Sequence, residues 1–230
     1  MTALNLTEQE QLSQFKTWWS QYGRFVIAFL TATILGVGSY LVWTNYQHRQ
    51  SGEASVIFAN LQRAVVEHDI KRIREAAGEL VAHYPRTAYA ELGALIAAKA
   101  HYTAGDAKTA KTELDWAVQH GRNQEVRELA RLRLVFILFD EKAFEEALKQ
   151  ISMNHASGIL ALQLGEIKGD ILLAQAKLPE AKSAYQEALN KLSKEEKELA
   201  KPATGTSPTQ SATARERIQL KMTSLGLGDK

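Results

Sequence analysis

The chain has no cysteine. That excludes disulfides, thiolate metal sites and cysteine nucleophiles. It assigns no compartment, because a protein without thiols is equally at home in reducing or oxidising surroundings. Proline is scarce, at 4 in 230 residues, and with glycine it falls mostly at punctuation points. From about residue 51 onward no strand-like alternation bounded by turn residues stands out, so the reading there is helical. Excess charge is lacking too. Lys and Arg number 28 against 26 Asp and Glu, a net +2. Without a dense basic surface to neutralise phosphates, nucleic-acid binding is excluded. Basic pairs such as Lys71-Arg72 read as solvated helix faces.

Catalytic patterns are equally missing. His48, His68, His83, His101, His120 and His155 do not pair as HExxH or at another ligand spacing. Neither GxSxG nor a P-loop is present. Glu145 and Glu146 point in different directions on a helix and make no acid/base dyad. Glu195-Glu196 sits in a charged run. His101 lies on an apolar helix and reads as a core or groove histidine. The expectation is therefore no catalytic residue, no metal site and no cofactor.

One hydrophobic run is conspicuous. Residues 25–43 read FVIAFLTATILGVGSYLVW, with no charge. As a helix rising 1.5 Å per residue it spans about 28 Å, close to the hydrocarbon thickness of a bilayer, and it satisfies its own backbone groups as lipid requires. Trp18, Trp19 and Tyr22 precede it, and Tyr40, Trp43 and Tyr46 close it, at headgroup depth for amphipathic rings. A cleaved signal peptide would carry a shorter run and a small-x-small site, whereas TNYQHRQ follows here. A buried core helix would seldom stay charge-free so long between aromatic belts. The reading is an uncleaved transmembrane helix over 25–46, in contact with the lipid bilayer, behind an N-terminal tail of residues 1–24. Lys16 and Arg24 before the span and Arg49 and Arg63 after it leave the sidedness open. Gly36 and Gly38 do not form GxxxG.

The remainder repeats. Ala76 is followed one turn later by Leu80, Ala110 by Leu114, Ala147 by Ile151 and Ala181 by Tyr185, with further alanines at Ala117 and Ala188. These alanines lie 34, 37 and 34 residues apart, a period resembling the helix-turn-helix tetratricopeptide repeat. An alanine at a helix crossing lets two backbones approach, and the larger residue at i+4 fills the groove between units. Gly105-Asp106, Asp140-Glu141-Lys142 and Lys177-Leu178-Pro179 fall where turns are needed, and Pro85 ends the first unit. The fold class expected is all-α: one transmembrane helix and then a tetratricopeptide-like array over 51–192. The competing reading is a non-repetitive helical bundle. Residues 193–213 read as a charged helix end and flexible polar loop, and 214–230 as a capping helix, with Ile218, Met222 and Leu225 on one face, and a frayed tail.

Residues 125–139, EVRELARLRLVFILF, carry the strongest binding signal. Arg127, Glu128, Arg131 and Arg133 are expected to be exposed, while residues 134–139 are apolar all round and must be buried or meet a partner. If the first helix of each unit lines a concave surface, Leu129, Leu132, Phe136 and Phe139 face it, with Leu92, Leu95 and Tyr102 in matching places on the preceding unit. Together they form a candidate groove for a segment of another protein. The alternative is that they pack beneath a neighbouring unit.

A short tail with aromatics and Gly23, an anchor carrying Leu35-Gly36-Val37-Gly38, a closing Trp43 and Tyr46, and hairpins behind them resemble the YfgM-like family of bacterial inner-membrane proteins. YAELGAL at 89–95 and LGEIKGD at 164–170 also look like that family. The resemblance covers residues from about 10 to 192, and loosely the last helix. It implies a non-enzymatic ancillary subunit of the SecYEG translocon in the cell inner membrane. The N-terminus is then cytoplasmic, the repeat domain periplasmic, and a PpiD-like periplasmic chaperone a partner. A generic tetratricopeptide adaptor for envelope assembly or signalling, facing either side, is the alternative. An enzyme accessory domain is a third reading, with no convergent polar site to support it.

Overall fold

The computed structural model describes residues 6–199, 208–224 and 226, and among these it is all-α. Nine helices follow in order among the described residues: α1 (Leu6–Val66), α2 (Ile70–His83), α3 (Ala88–Thr103), α4 (Ala107–His120), α5 (Gln124–Asp140), α6 (Phe144–Ser152), α7 (Gly158–Ala174), α8 (Leu178–Leu199) and α9 (Pro208–Ser224). The chain divides into two units, Met1–Gly52 and Glu53–Lys230.

The first unit contains the apolar part of α1. Its most apolar 18-residue window has a mean hydropathy of 2.1, and none of that window is buried by protein. Both threonines inside the run are satisfied within the helix. Thr31 Oγ1 donates to the Ile27 carbonyl at 2.8 Å and Thr33 Oγ1 to that of Phe29 at 2.9 Å. Hydroxyls so paired do not present unmet donors to lipid. At the entry to the run, Gly23 is covered by the Trp19 indole, 3.2 Å from where a Cβ would stand.

The second unit is a stack of helical hairpins: 53–66 of α1 with α2, α3 with α4, α5 with α6, and α7 with α8. Each hairpin turns on one residue in the left-handed region: His68 (φ 56°), Gly105 (φ 86°), Lys142 (φ 60°) and Ala176 (φ 60°). Glycine takes that conformation freely; the other three hold it at some cost. Local side chains then start the next helix. Asp69 Oδ1 accepts from Arg72 N at 3.1 Å and Asp106 Oδ1 from Thr109 N at 3.0 Å. Thr87 and Asn123 cap α3 and α5 likewise.

These turns define a register that differs from the one read off the alanines. Five residues past each left-handed residue stand Ile73, Ala110, Ala147 and Ala181, all at most 1% exposed. In the first hairpin, therefore, Ile73 and not Ala76 holds the crossing position, and Ala76 is only partly buried. The sizes are exchanged there: Ile73, Ala77 and Leu80 occupy the places of Ala110, Leu114 and Ala117. The exchange is accommodated by Gly93 on α3, where a Cβ would come 2.7 Å from Leu80 Cδ1. The missing Cβ at 93 leaves the room that Leu80 fills, as a close-packed core requires.

α9 begins at Pro208, so residues 208–213, expected as loop, are helical. Proline at a first helical position loses no hydrogen bond and is already at the right φ. The rest of the expected loop, Leu225 and the expected tail past Gly226 lie outside the described residues.

Candidate protein-binding surface

The seven residues expected to form one groove separate into two sets. Leu95 and Leu132, each 4% exposed, belong to the core shared by α3 through α7. Leu129 and Phe139 are half-buried against that core, and the Phe139 ring lies 5.9 Å from Phe144 within its own hairpin. Only Leu92 (39%), Tyr102 (39%) and Phe136 (45%) are open to solvent. The apolar run at 134–139 is buried through Leu134, Val135, Ile137 and Leu138, and Phe136 is its one outward-facing member.

Two contacts set α3 against α5. The Tyr102 hydroxyl donates to Asp140 Oδ2, and Arg133 Nη1 donates to the Leu95 carbonyl at 3.0 Å. Counted back from the turn residues, Lys99 on α3, Phe136 on α5 and Asp170 on α7 hold equivalent places, as do Leu95, Leu132 and Glu166. The second row explains the split. Leu95 and Leu132 lie where the following hairpin packs and are sealed by it; of the first row, Lys99 and Phe136 face outward. Burial lowers the Arg133 pKa from its ordinary value, yet the guanidinium keeps its charge beside Phe136. The surface thus offers an aromatic ring, a tyrosine and a cation, the residue types that recur at protein interfaces.

The charges expected to be exposed on α5 mostly are not. Glu128 is 2% and Arg131 8% exposed, joined Nε to Oε2 at 3.2 Å, and Arg131 Nη1 also donates to Gln150 on α6 at 3.1 Å. Arg127 is half-buried and donates to the Gly121 carbonyl at 2.8 Å. The buried Glu128–Arg131 pair is supported on the arginine side by the bond to Gln150. Sequence reasoning also missed Glu91. It is 6% exposed, and its Oε2 accepts from the backbone N–H groups of Arg122 at 2.8 Å and Asn123 at 3.2 Å. It thereby fastens α3 to the loop that opens the next hairpin.

His101 is fully buried, with Nδ1 2.9 Å from Glu113 Oε2 on α4. Its Nε2 has no partner among the described residues. Burial raises the Glu113 carboxyl, against the lowering pull of His101. His101 is thus a core residue. No cluster of three or more metal-ligating side chains occurs among the described residues.

Stacked helical hairpins, with a helix long and apolar enough to cross a membrane ahead of them in the sequence, define a helical-repeat protein. The chain belongs to the tetratricopeptide repeat-like domain family, whose sequence profile matches residues 16–204. Its relatives bear out the resemblance to YfgM-like proteins. It is 29% identical to the ancillary SecYEG translocon subunit of Neisseria gonorrhoeae, over 97% of this chain and 99% of that one. It is 26% identical to the protein so named in Haemophilus influenzae, over 86% and 97%. It is 24% identical to the one in Escherichia coli, over 78% and 85%.

Proposed function

We propose that this protein is a non-enzymatic ancillary subunit of the Sec translocon: a membrane-tethered scaffold that binds polypeptides on the far side of the inner membrane and works with a PpiD-like chaperone. The observation that carries the reading is the end-to-end match, 97% of this chain against 99% of its counterpart, to a protein named ancillary SecYEG translocon subunit. A shared tetratricopeptide-like fold alone would not do so, since one fold hosts many functions. The match includes the apolar helix as well as the array.

In this reading the apolar part of α1 spans the inner membrane once, with the N-terminus in the cytoplasm and the hairpin array in the periplasm. Tethering confines the array to a thin layer beside the membrane and raises its effective concentration at an exit site. Phe136, Tyr102 and Leu92 provide the contact surface, because they are the groove residues left open to solvent.

Affinity purification of the intact chain from membranes in mild detergent tests the assignment. Recovery of SecYEG together with a periplasmic chaperone is expected; absence of both overturns it. A topology reporter fused after Lys230 is expected to score as periplasmic, and a cytoplasmic score removes the proposal. Wild-type chain is expected to stay in the membrane pellet through carbonate extraction. Release into the supernatant defeats the anchor on which everything else depends.

A further inference from the structure

The stack ends differently from the way it continues. At the place where Leu95 is sealed by the third hairpin and Leu132 by the fourth, α7 carries an acid, Glu166, and α9 lies across it. Ala214, Ile218 and Met222 of α9 are buried against Leu162 of α7 and against Tyr185, Ala188 and Leu192 of α8. Beside this apolar strip, basic side chains one turn apart meet acids one turn apart. Arg217 Nε donates to Glu166 Oε1 at 2.9 Å. Lys221 Nζ reaches Glu166 Oε1 at 2.8 Å and Asp170 Oδ2 at 2.8 Å. Asp170 Oδ1 also accepts the Tyr185 hydroxyl at 2.6 Å, so this acid is held by the platform as well as by α9.

The geometry of this end face is that of a receptor with its ligand in place. With α9 in place the side chains of Glu166 and Asp170 are 9% and 19% exposed, whereas Arg217 is 49% and Lys221 36% exposed, so the bases reach in from solvent. Water and salt therefore have access to the clasp, which they lack at the leucine-sealed interfaces inside the stack. Among the described residues no helix follows α9. Its connection is longer than the others as well. α4 ends at His120 and α5 begins at Gln124, but α8 ends at Leu199 and α9 begins at Pro208.

We propose that the α7–α8 end face is a docking site for a basic amphipathic helix of a partner protein, occupied by α9 in this structure and opened when α9 lets go. The partner is defined by the chemistry α9 displays: an apolar strip flanked by two basic side chains one turn apart, complementary to Glu166 and Asp170. This stands apart from the translocon assignment and holds or fails on its own measurement.

The test uses the full chain and a fluorescein-labelled peptide of residues 208–224. In the R217E/K221E chain the cis clasp is broken while Glu166 and Asp170 remain. Amide exchange in α9 is expected to rise about tenfold or more over wild type, with α3–α6 unchanged, and peptide affinity to rise by a similar factor. A peptide carrying the same two reversals is expected not to bind. Combining R217E/K221E with E166K/D170K restores opposite charges across the clasp and is expected to return α9 to wild-type protection. Equal α9 exchange in wild type and R217E/K221E overturns the proposal. So does equal peptide binding to the two chains, or equal binding of the natural and reversed peptides. Loss of protection across α3–α6 in R217E/K221E also overturns it, for α9 would then be part of the fold and not an exchangeable occupant.

Discussion

Gly169 of α7 lies directly beneath the Tyr185 ring of α8, so close that a Cβ at 169 would overlap the ring carbons. The contact sets the distance between the two helices of the last hairpin. It also positions the Tyr185 hydroxyl on Asp170. Tyr185 is wholly buried, and burial with the Asp170 hydrogen bond raises its pKa, keeping the phenol a donor. Gly169→Ala is therefore expected to push α7 and α8 apart and cost about 1–3 kcal/mol, the scale of core overpacking. Denaturant unfolding of the full chain in detergent measures it. An unchanged midpoint would mean that the two helices part without cost.

Phe136 and Leu138 are two residues apart on α5 and face opposite fates. Phe136→Asp is expected to leave the melting temperature within a few degrees of wild type, because the side chain is 45% exposed. Leu138→Ala, at a position with no exposure, is expected to cost about 2–5 kcal/mol. Phe136→Asp is further expected to abolish crosslinks to a bound polypeptide from a photoreactive group at Tyr102. A large fall in stability from Phe136→Asp would place the ring in the core instead.

The His101–Glu113 pair links α3 to α4 in the interior. His101→Leu strands a mostly buried carboxyl and is expected to destabilise by about 1–3 kcal/mol. His101→Leu with Glu113→Leu removes both polar groups and is expected to recover most of that loss. A double-mutant cycle on thermal unfolding reads the coupling, and simple additivity of the two losses would show that the pair has none.

The α9 clasp is expected to weaken in acid. Burial alone would raise Glu166, but hydrogen bonds from Arg217 and Lys221 outweigh it and hold the carboxyl below the usual glutamate value. An acid whose folded pKa is depressed contributes stability above its unfolded value, and that contribution is lost as pH falls through the folded value. Lys221 works in the other direction. Burial would lower it, but its bonds to Asp170 and Glu166 raise it, so its contribution is lost only as pH rises past the ordinary lysine range. Protection of α9 amides is thus expected to hold across neutral pH and fall below the ordinary glutamate range. Glu166→Gln should flatten that acid limb; an unchanged limb in Glu166→Gln would assign it to other carboxylates.

How much was legible varied with how local the signal was. Gly105-Asp106 announced a turn because glycine and an N-capping aspartate act within a few residues. The charge-free run at 25–43 announced itself through length and composition. Ile73 in the first hairpin was missed because a crossing can take its small residue from either helix, and Gly93, far along the chain, supplies it there. Leu95 and Leu132 were grouped with Phe136 because all lie on one side of their helices. Which of them is covered depends on the next hairpin, and neither helix encodes that alone. Arg131 looked like a solvated cation because nothing nearby in sequence revealed that Gln150 would meet it.

The amino-acid sequence by itself determined that this protein is helical, that one stretch is apolar enough for lipid, and where the second and third hairpins turn; the fourth turns at Ala176, just before the expected Lys177-Leu178-Pro179. These follow from backbone preference and from transfer of side chains out of water, which act over a few residues at a time. Only the tertiary structure decided which face of α5 is core and which is surface, that His101 finds Glu113, and that α9 closes the stack through Glu166 and Asp170. Those outcomes rest on volumes and charges brought together from distant parts of the chain, and packing settles them only when the helices meet.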